Sequence, residues 1–132
     1  MQVFLDANIL FSASNTGSAI ARFVQLLVKE HHCVTSSYAM MEAERNILLK
    51  RSQWTSDFET LMKQVALVPE ATLKVDAGLP DKDIPILGAA IASKSDYLLT
   101  GDKRDFGHLY GNTIEEVMVI SYLQLAEIVL NG

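Results

Sequence analysis

Apolar residues follow two periods along this chain, and the alternation between them predicts its elements. Short unbroken apolar runs at Gln2 to Leu5, Cys33 to Thr35, Ala66 to Val68, Tyr97 to Thr100 and Val117 to Ile120 read as strands. Between them the spacing turns helical. Ile20, Phe23, Val24, Leu27 and Val28 mark a helix from Gly17 to Lys29 that Ser18 can cap. Ser36 or Ser37 can cap a second helix running to about Lys50, with Met40, Met41, Ile47 and Leu48 as its buried stripe. Further helices are expected from about Ser56 to Gln64, from Asp83 with Pro85 in the first turn, and from Ser121 to about Leu130. Val75 to Lys82 and the stretch through Asp102 and Asp105 read as loops. This alternation implies a three-layer α/β/α fold, a mostly parallel sheet flanked by helices.

Two of the predicted strands end on an acid: Val3-Phe4-Leu5-Asp6 and Tyr97-Leu98-Leu99-Thr100-Gly101-Asp102. In an open parallel sheet, ligands collect beyond the carboxyl ends of the strands, so acids placed there can converge across the whole chain. Glu42, in the helix after the second strand, and Asp83, at the start of the small-residue helix, fall near the same edge, and Asp105 is close enough to contribute. Converging carboxylates repel, and a hard cation such as Mg²⁺ or Mn²⁺ relieves the repulsion while leaving positions open for a phosphate. The chemistry implied is phosphodiester hydrolysis.

Each acid also has a plainer reading. Asp83 could be only a helix cap, Glu42 and Glu44 solvated charges with Arg45 pairing one of them, and Asp102 and Asp105 ordinary turn residues. Asp6 is harder to dismiss, because an acid directly after a buried strand must be solvated, paired or liganded. Asn8 can donate to it, and Ser36, Asn46 and Thr100 are supporting candidates by position. Lys103, Arg104, Lys82 and Arg45 are the cations placed to meet phosphate. Trp54 and Tyr110 read as packing residues, and His31, His32 and His108 show no metal-ligand spacing.

Composition narrows the picture. The 132 residues suffice for one domain, residues 1 to 132, and 49% hydrophobic against 20% charged residues describe an ordinary globular protein. No apolar stretch reaches the roughly 20 residues a membrane span needs, and no basic leader precedes an apolar core, so a soluble, cytoplasmic protein is expected. The single Cys33 excludes an internal disulfide and reads as a core thiol. A net charge of −5 argues against a broad basic nucleic-acid face but leaves nucleic acid open as a substrate.

Four segments in order carry a family resemblance: Val3-Phe4-Leu5-Asp6-Ala7-Asn8, Met41-Glu42-Ala43-Glu44-Arg45-Asn46, Asp83-Ile84-Pro85-Ile86-Leu87-Gly88-Ala89-Ala90, and Tyr97-Leu98-Leu99-Thr100-Gly101-Asp102-Lys103-Arg104-Asp105-Phe106. Over essentially its whole length the chain resembles the PIN-domain ribonucleases, particularly the small single-domain VapC-type toxins. The resemblance implies a Mg²⁺- or Mn²⁺-dependent acidic pocket, endonucleolytic RNA cleavage, a cognate antitoxin that blocks the pocket, and homodimers. It carries over Asp6, Glu42, Asp83 and Asp102 as catalytic, metal-binding acids, with Asp105 supporting. Ala7 stands where many members have Thr. Glu44 lies about 200° around the helix from Glu42, so only one can face the pocket, and spacing from Ser36 selects Glu42. Two other classes remain: a PIN-like scaffold that binds RNA or protein without cleaving, and a receiver-like phosphoacceptor. The latter ranks last because Val34-Thr35-Ser36 supplies no phosphorylatable Asp.

Overall fold

The computed structural model describes residues 1–131; Gly132, the last residue of the expected domain, lies outside them. In chain order the elements are β1 (Gln2–Leu5), α1 (Ala7–Ala13), α2 (Ala19–Glu30), β2 (His32–Ser36), α3 (Ser37–Lys50), α4 (Thr55–Met62), β3 (Ala66–Val68), α5 (Ile84–Ala92), β4 (Tyr97–Leu99), α6 (Lys103–Phe106), β5 (Thr113–Ile114), β6 (Val117–Ile120) and α7 (Tyr122–Asn131). Single 3-10 turns cover Ser52–Trp54, Asp81–Asp83 and Gly107–Leu109.

The six strands form one sheet in the order β3-β2-β1-β4-β6-β5, parallel except for the terminal β5–β6 hairpin. Helices flank it in three α/β/α layers, the expected class. β1 and β4 lie side by side in the middle, with Val3, Phe4, Leu5, Leu98 and Leu99 fully buried, which is why these strands read as unbroken apolar runs. From β1 the chain moves outward through β2 to β3, then returns to place β4 on the other flank. The β1/β4 junction is therefore the switch point where a crevice opens beyond the strand ends.

Helix starts follow their caps. Ser18 accepts from the Ala21 N–H and Ser36 from the Ala39 N–H, both at 3.2 Å. Cys33 is buried and unpaired, and burial pushes its thiol up to about 12, an inert core group.

Two local expectations need correction. The stripe of α3 toward the core is Ala39, Ala43 and Ile47; Met41 and Leu48 are 61% and 58% exposed. Small residues win there because α1 packs closely on α3, where larger side chains would hold the helices apart. The stretch after Asp102 is a helix, α6, capped by Asp102 itself, which accepts from the Asp105 N–H at 3.1 Å. The small residues of α5 let it pack closely against a loop as well as against the sheet. A Cβ on Gly88 would collide with the backbone of Ala71 and come within 2.8 Å of the Thr72 carbonyl carbon.

Two elements, α1 and β5, escape the pattern reading altogether, whereas β6 stands where it is expected. α1 begins immediately after Asp6, with no polar interval to announce it. β5 and β6 are joined through Glu115 and Glu116, at φ of 47° and 73°, in place of the Asn-Gly type of pair that marks such turns. Left-handed backbone costs a non-glycine residue roughly 1–2 kcal/mol. The double substitution Glu115→Asn, Glu116→Gly is therefore expected to raise the free energy of unfolding by about 1 kcal/mol or more, read as a higher urea midpoint at unchanged m. An unchanged or lower midpoint would show that the turn carries no strain.

Candidate metal centre and active site

Asp6 ends β1 and opens α1, so one residue both closes a buried strand and caps a helix. Its Oδ1 accepts from the Ala7 N–H at 2.7 Å, and its Oδ2 accepts from the Thr100 hydroxyl at 2.8 Å and the Asn8 amide at 3.2 Å. Thr100 stands at the end of β4, so the bond joins the two strands at the switch point. The Thr100 oxygen also accepts from the Asp102 N–H at 3.1 Å, and Asn8 Oδ1 accepts from the Gly101 N–H at 2.7 Å. The β1 and β4 exits are thereby locked to each other. Burial pushes the Asp6 carboxyl up to about 6; the Thr100 and Ala7 bonds pull back, while Glu42 and Asp102 add repulsion.

Asp83 begins α5 but makes no cap hydrogen bond, which removes the plainer reading of this acid. Its Oδ2 is buried with no hydrogen-bond partner. Burial first, and then a hydrogen bond with Asp105, push its carboxyl up to about 7. Asp105 shifts the other way, held down by that bond and by Lys82, whose Nζ lies 3.2 Å from its Oδ2. Asp83, Asp102 and Asp105 each bring a carboxylate oxygen within 4.8 Å of the others.

Asp6, Glu42, Asp83 and Asp102 line one cavity of about 330 Å³, together with Ala7, Asn8, Phe11, Asn46, Lys50 and Lys82. Glu42, Asn46 and Lys50 reach it as a single stripe at four-residue spacing along α3, while Glu44 is exposed and off the lining. Ser36 caps α3 and bonds none of the acids; it contributes by fixing the helix that carries Glu42. Lys103, Arg104 and Arg45 are exposed and outside the cavity wall. The cations in the wall are Lys82 and Lys50. Lys50 and Phe11 were not singled out from sequence, although continuing the Glu42–Asn46 spacing one more turn finds Lys50. Tyr38 ties the turn before α5 to α3, its hydroxyl donating to the Lys82 carbonyl at 2.9 Å.

The donor set is all oxygen, as Mg²⁺ and Mn²⁺ require. The orphaned Asp83 oxygen is what a cation would satisfy, since a buried acceptor without a partner costs about 1–3 kcal/mol. Fold and site together define an α/β protein with a carboxylate pocket at its switch point that could hold a hard divalent ion. No protein-family model matches the sequence, and no curated protein matches it. Among solved structures the chain is similar to VapBC2 from Rickettsia felis bound to a DNA fragment from their promoter. The TM-score is 0.65 at 18% identity, covering 92% of this chain and 98% of that one. The protein has a VapC-like PIN fold, as its motifs imply. Among the described residues no helix is long and apolar enough to cross a membrane.

Proposed function

We propose that residues 1–132 act as one nuclease domain, a metal-dependent endoribonuclease that hydrolyses RNA phosphodiester bonds as the toxin of a toxin–antitoxin pair. The observation that carries the reading is the set of carboxylates facing one cavity at the switch point, with a buried Asp83 oxygen that lacks a partner. Asp83, Asp102 and Asp105, with Asp6 and Glu42 on the same wall, would hold Mg²⁺ or Mn²⁺. When bound, such an ion polarises the phosphodiester and lowers the pKa of the attacking water.

The chain's own groups prepare the rest. Thr100 and Asn8 hold Asp6 in one orientation and keep its charge facing the pocket. Lys50 and Lys82 draw in the phosphate, with Lys103, Arg104 and Arg45 meeting the strand farther out. The likeness to VapBC2 supports a small antitoxin as partner, and the homodimer is proposed on the motif resemblance alone.

The test is cleavage of a labelled structured RNA in millimolar Mn²⁺ or Mg²⁺. Cuts that disappear in EDTA and return with added metal are expected. RNA bound but never cut, with either metal, would leave a binding scaffold instead of an enzyme.

A further inference from the structure

Next to the acids the cavity has an aromatic wall that metal chemistry does not require. Phe11, half-buried on α1 one turn beyond Asn8, is the one aromatic residue in the lining among the described residues. Behind it stands Trp54, ring centroids 5.2 Å apart and tilted by 53°. The Arg51 guanidinium covers the Trp54 ring at 5.6 Å. Neither ring belongs to the fully buried core; both are half-buried at its margin.

Charge runs along the same wall in a definite order. The α3 stripe passes from Glu42 to the Asn46 amide to the Lys50 ammonium, each step about 6 Å along the helix axis. Arg51 follows directly. A polyanion with its scissile phosphate at the acids would thus run toward cations, with a π face beside the nucleotide between. An apolar ring in the wall of a hydrated acidic pocket is poorly placed for solvation alone, whereas base–aromatic stacking is a standard way to hold an unpaired nucleotide.

We infer that Phe11, backed by the Trp54–Arg51 pair, is a nucleobase-stacking subsite that positions the nucleotide flanking the scissile phosphate, with Lys50 holding the adjacent phosphate. This rests on the ribonuclease reading above. Phe11 is a positioning residue: it binds the base in ground and transition states alike, so its loss raises KM and leaves kcat nearly unchanged.

On an RNA hairpin cut by the wild type at a mapped bond, Phe11→Leu, which keeps apolar volume, is expected to raise KM about tenfold with kcat within about twofold. Phe11→Tyr, which keeps the ring, restores KM. When the nucleotide beside the cut is abasic, wild type and Phe11→Leu become equal. A second readout needs no cleavage. Trp54 is the sole tryptophan, so its fluorescence reports on this wall, and an oligoadenylate added in Ca²⁺ should quench it in wild type and not in Phe11→Leu. Quenching without cleavage under any metal would overturn the ribonuclease reading and keep the subsite. Cleavage with a wild-type KM in Phe11→Leu, or no Trp54 response to oligoadenylate, would overturn the subsite.

Discussion

Asp83→Asn is expected to lower kcat/KM for RNA by more than about 100-fold while making the metal-free protein more stable. The activity loss follows from the site: residues that merely orient metal ligands already cost 10–100-fold when changed, and Asp83 offers the pocket the one buried, unpartnered side-chain oxygen among the described residues. The stability gain follows from the same oxygen. Above about pH 7 and without a cation, the buried Asp83 carboxylate faces Asp6 and Asp105 and is only partly offset by Lys82. Asparagine removes the charge, and its amide can donate to Asp105, a gain on the order of 1–2 kcal/mol. At 132 residues each kcal/mol moves the melting temperature by about 4 °C. Melts in EDTA with kinetics in Mn²⁺ check both halves. A variant with wild-type turnover would remove Asp83 from the site, and one with a lower apo Tm would show that its carboxylate stabilises the fold.

In EDTA the wild-type protein should lose stability as the pH rises from about 4 to about 7. Asp6 titrates at 3.8 when unfolded and at about 6 in the fold, so between those values the folded state binds more protons. Stability then falls with pH: the contribution is complete below the unfolded value and gone once the pH has passed the folded one. For fully buried Asp6 the shift of about two units amounts to roughly 3 kcal/mol at about 1.4 kcal/mol per unit. Asp83, raised to about 7, acts in the same direction and extends the window upward. Asp105 works oppositely, since its lowered folded pKa gives stability that is lost as the pH falls below the ordinary carboxylate range. The metal-free protein should therefore be most stable near pH 4–5, below the usual optimum of pH 5–8. Mn²⁺ should reverse the slope above about pH 6, because on the proposed reading it would bind only the folded, deprotonated pocket. Thermal melts at about pH 4.5 and about pH 7.5, with EDTA or Mn²⁺, test this, and Asp6→Asn should flatten the apo slope. An apo Tm that climbs through this range would mean that these carboxyls are not desolvated.

Much of the site was legible because its carriers obey local rules. Asp6 and Asp102 stand out as acids closing buried strands, and Glu42 follows from the turn spacing after a Ser cap. The missed parts obey no local signal. A single residue, Asp6, separates the end of β1 from the start of α1, so it had to be recognised as strand exit and helix cap at once. The Glu115–Glu116 turn adopts left-handed backbone without the residues that usually permit it, because the pairing of β5 with β6 imposes it. Met41 and Leu48 mislead for a related reason: periodicity finds an apolar stripe, but α1 dictates which side of α3 faces inward.

By itself the sequence determined the alternation of buried strands and amphipathic helices, the acids at the strand ends and the PIN-like order of the motifs, since each depends on neighbours within a few residues. Only the tertiary structure decided that Lys82 and Lys50, and not Lys103, Arg104 or Arg45, are the cations of the cavity wall, that Asp83 rather than Asp6 holds the unpartnered oxygen, and that Phe11 stands beside them. Those facts depend on the strand order that sets β4 against β1 and on the close α1–α3 packing, contacts between residues far apart in the chain that no local pattern encodes.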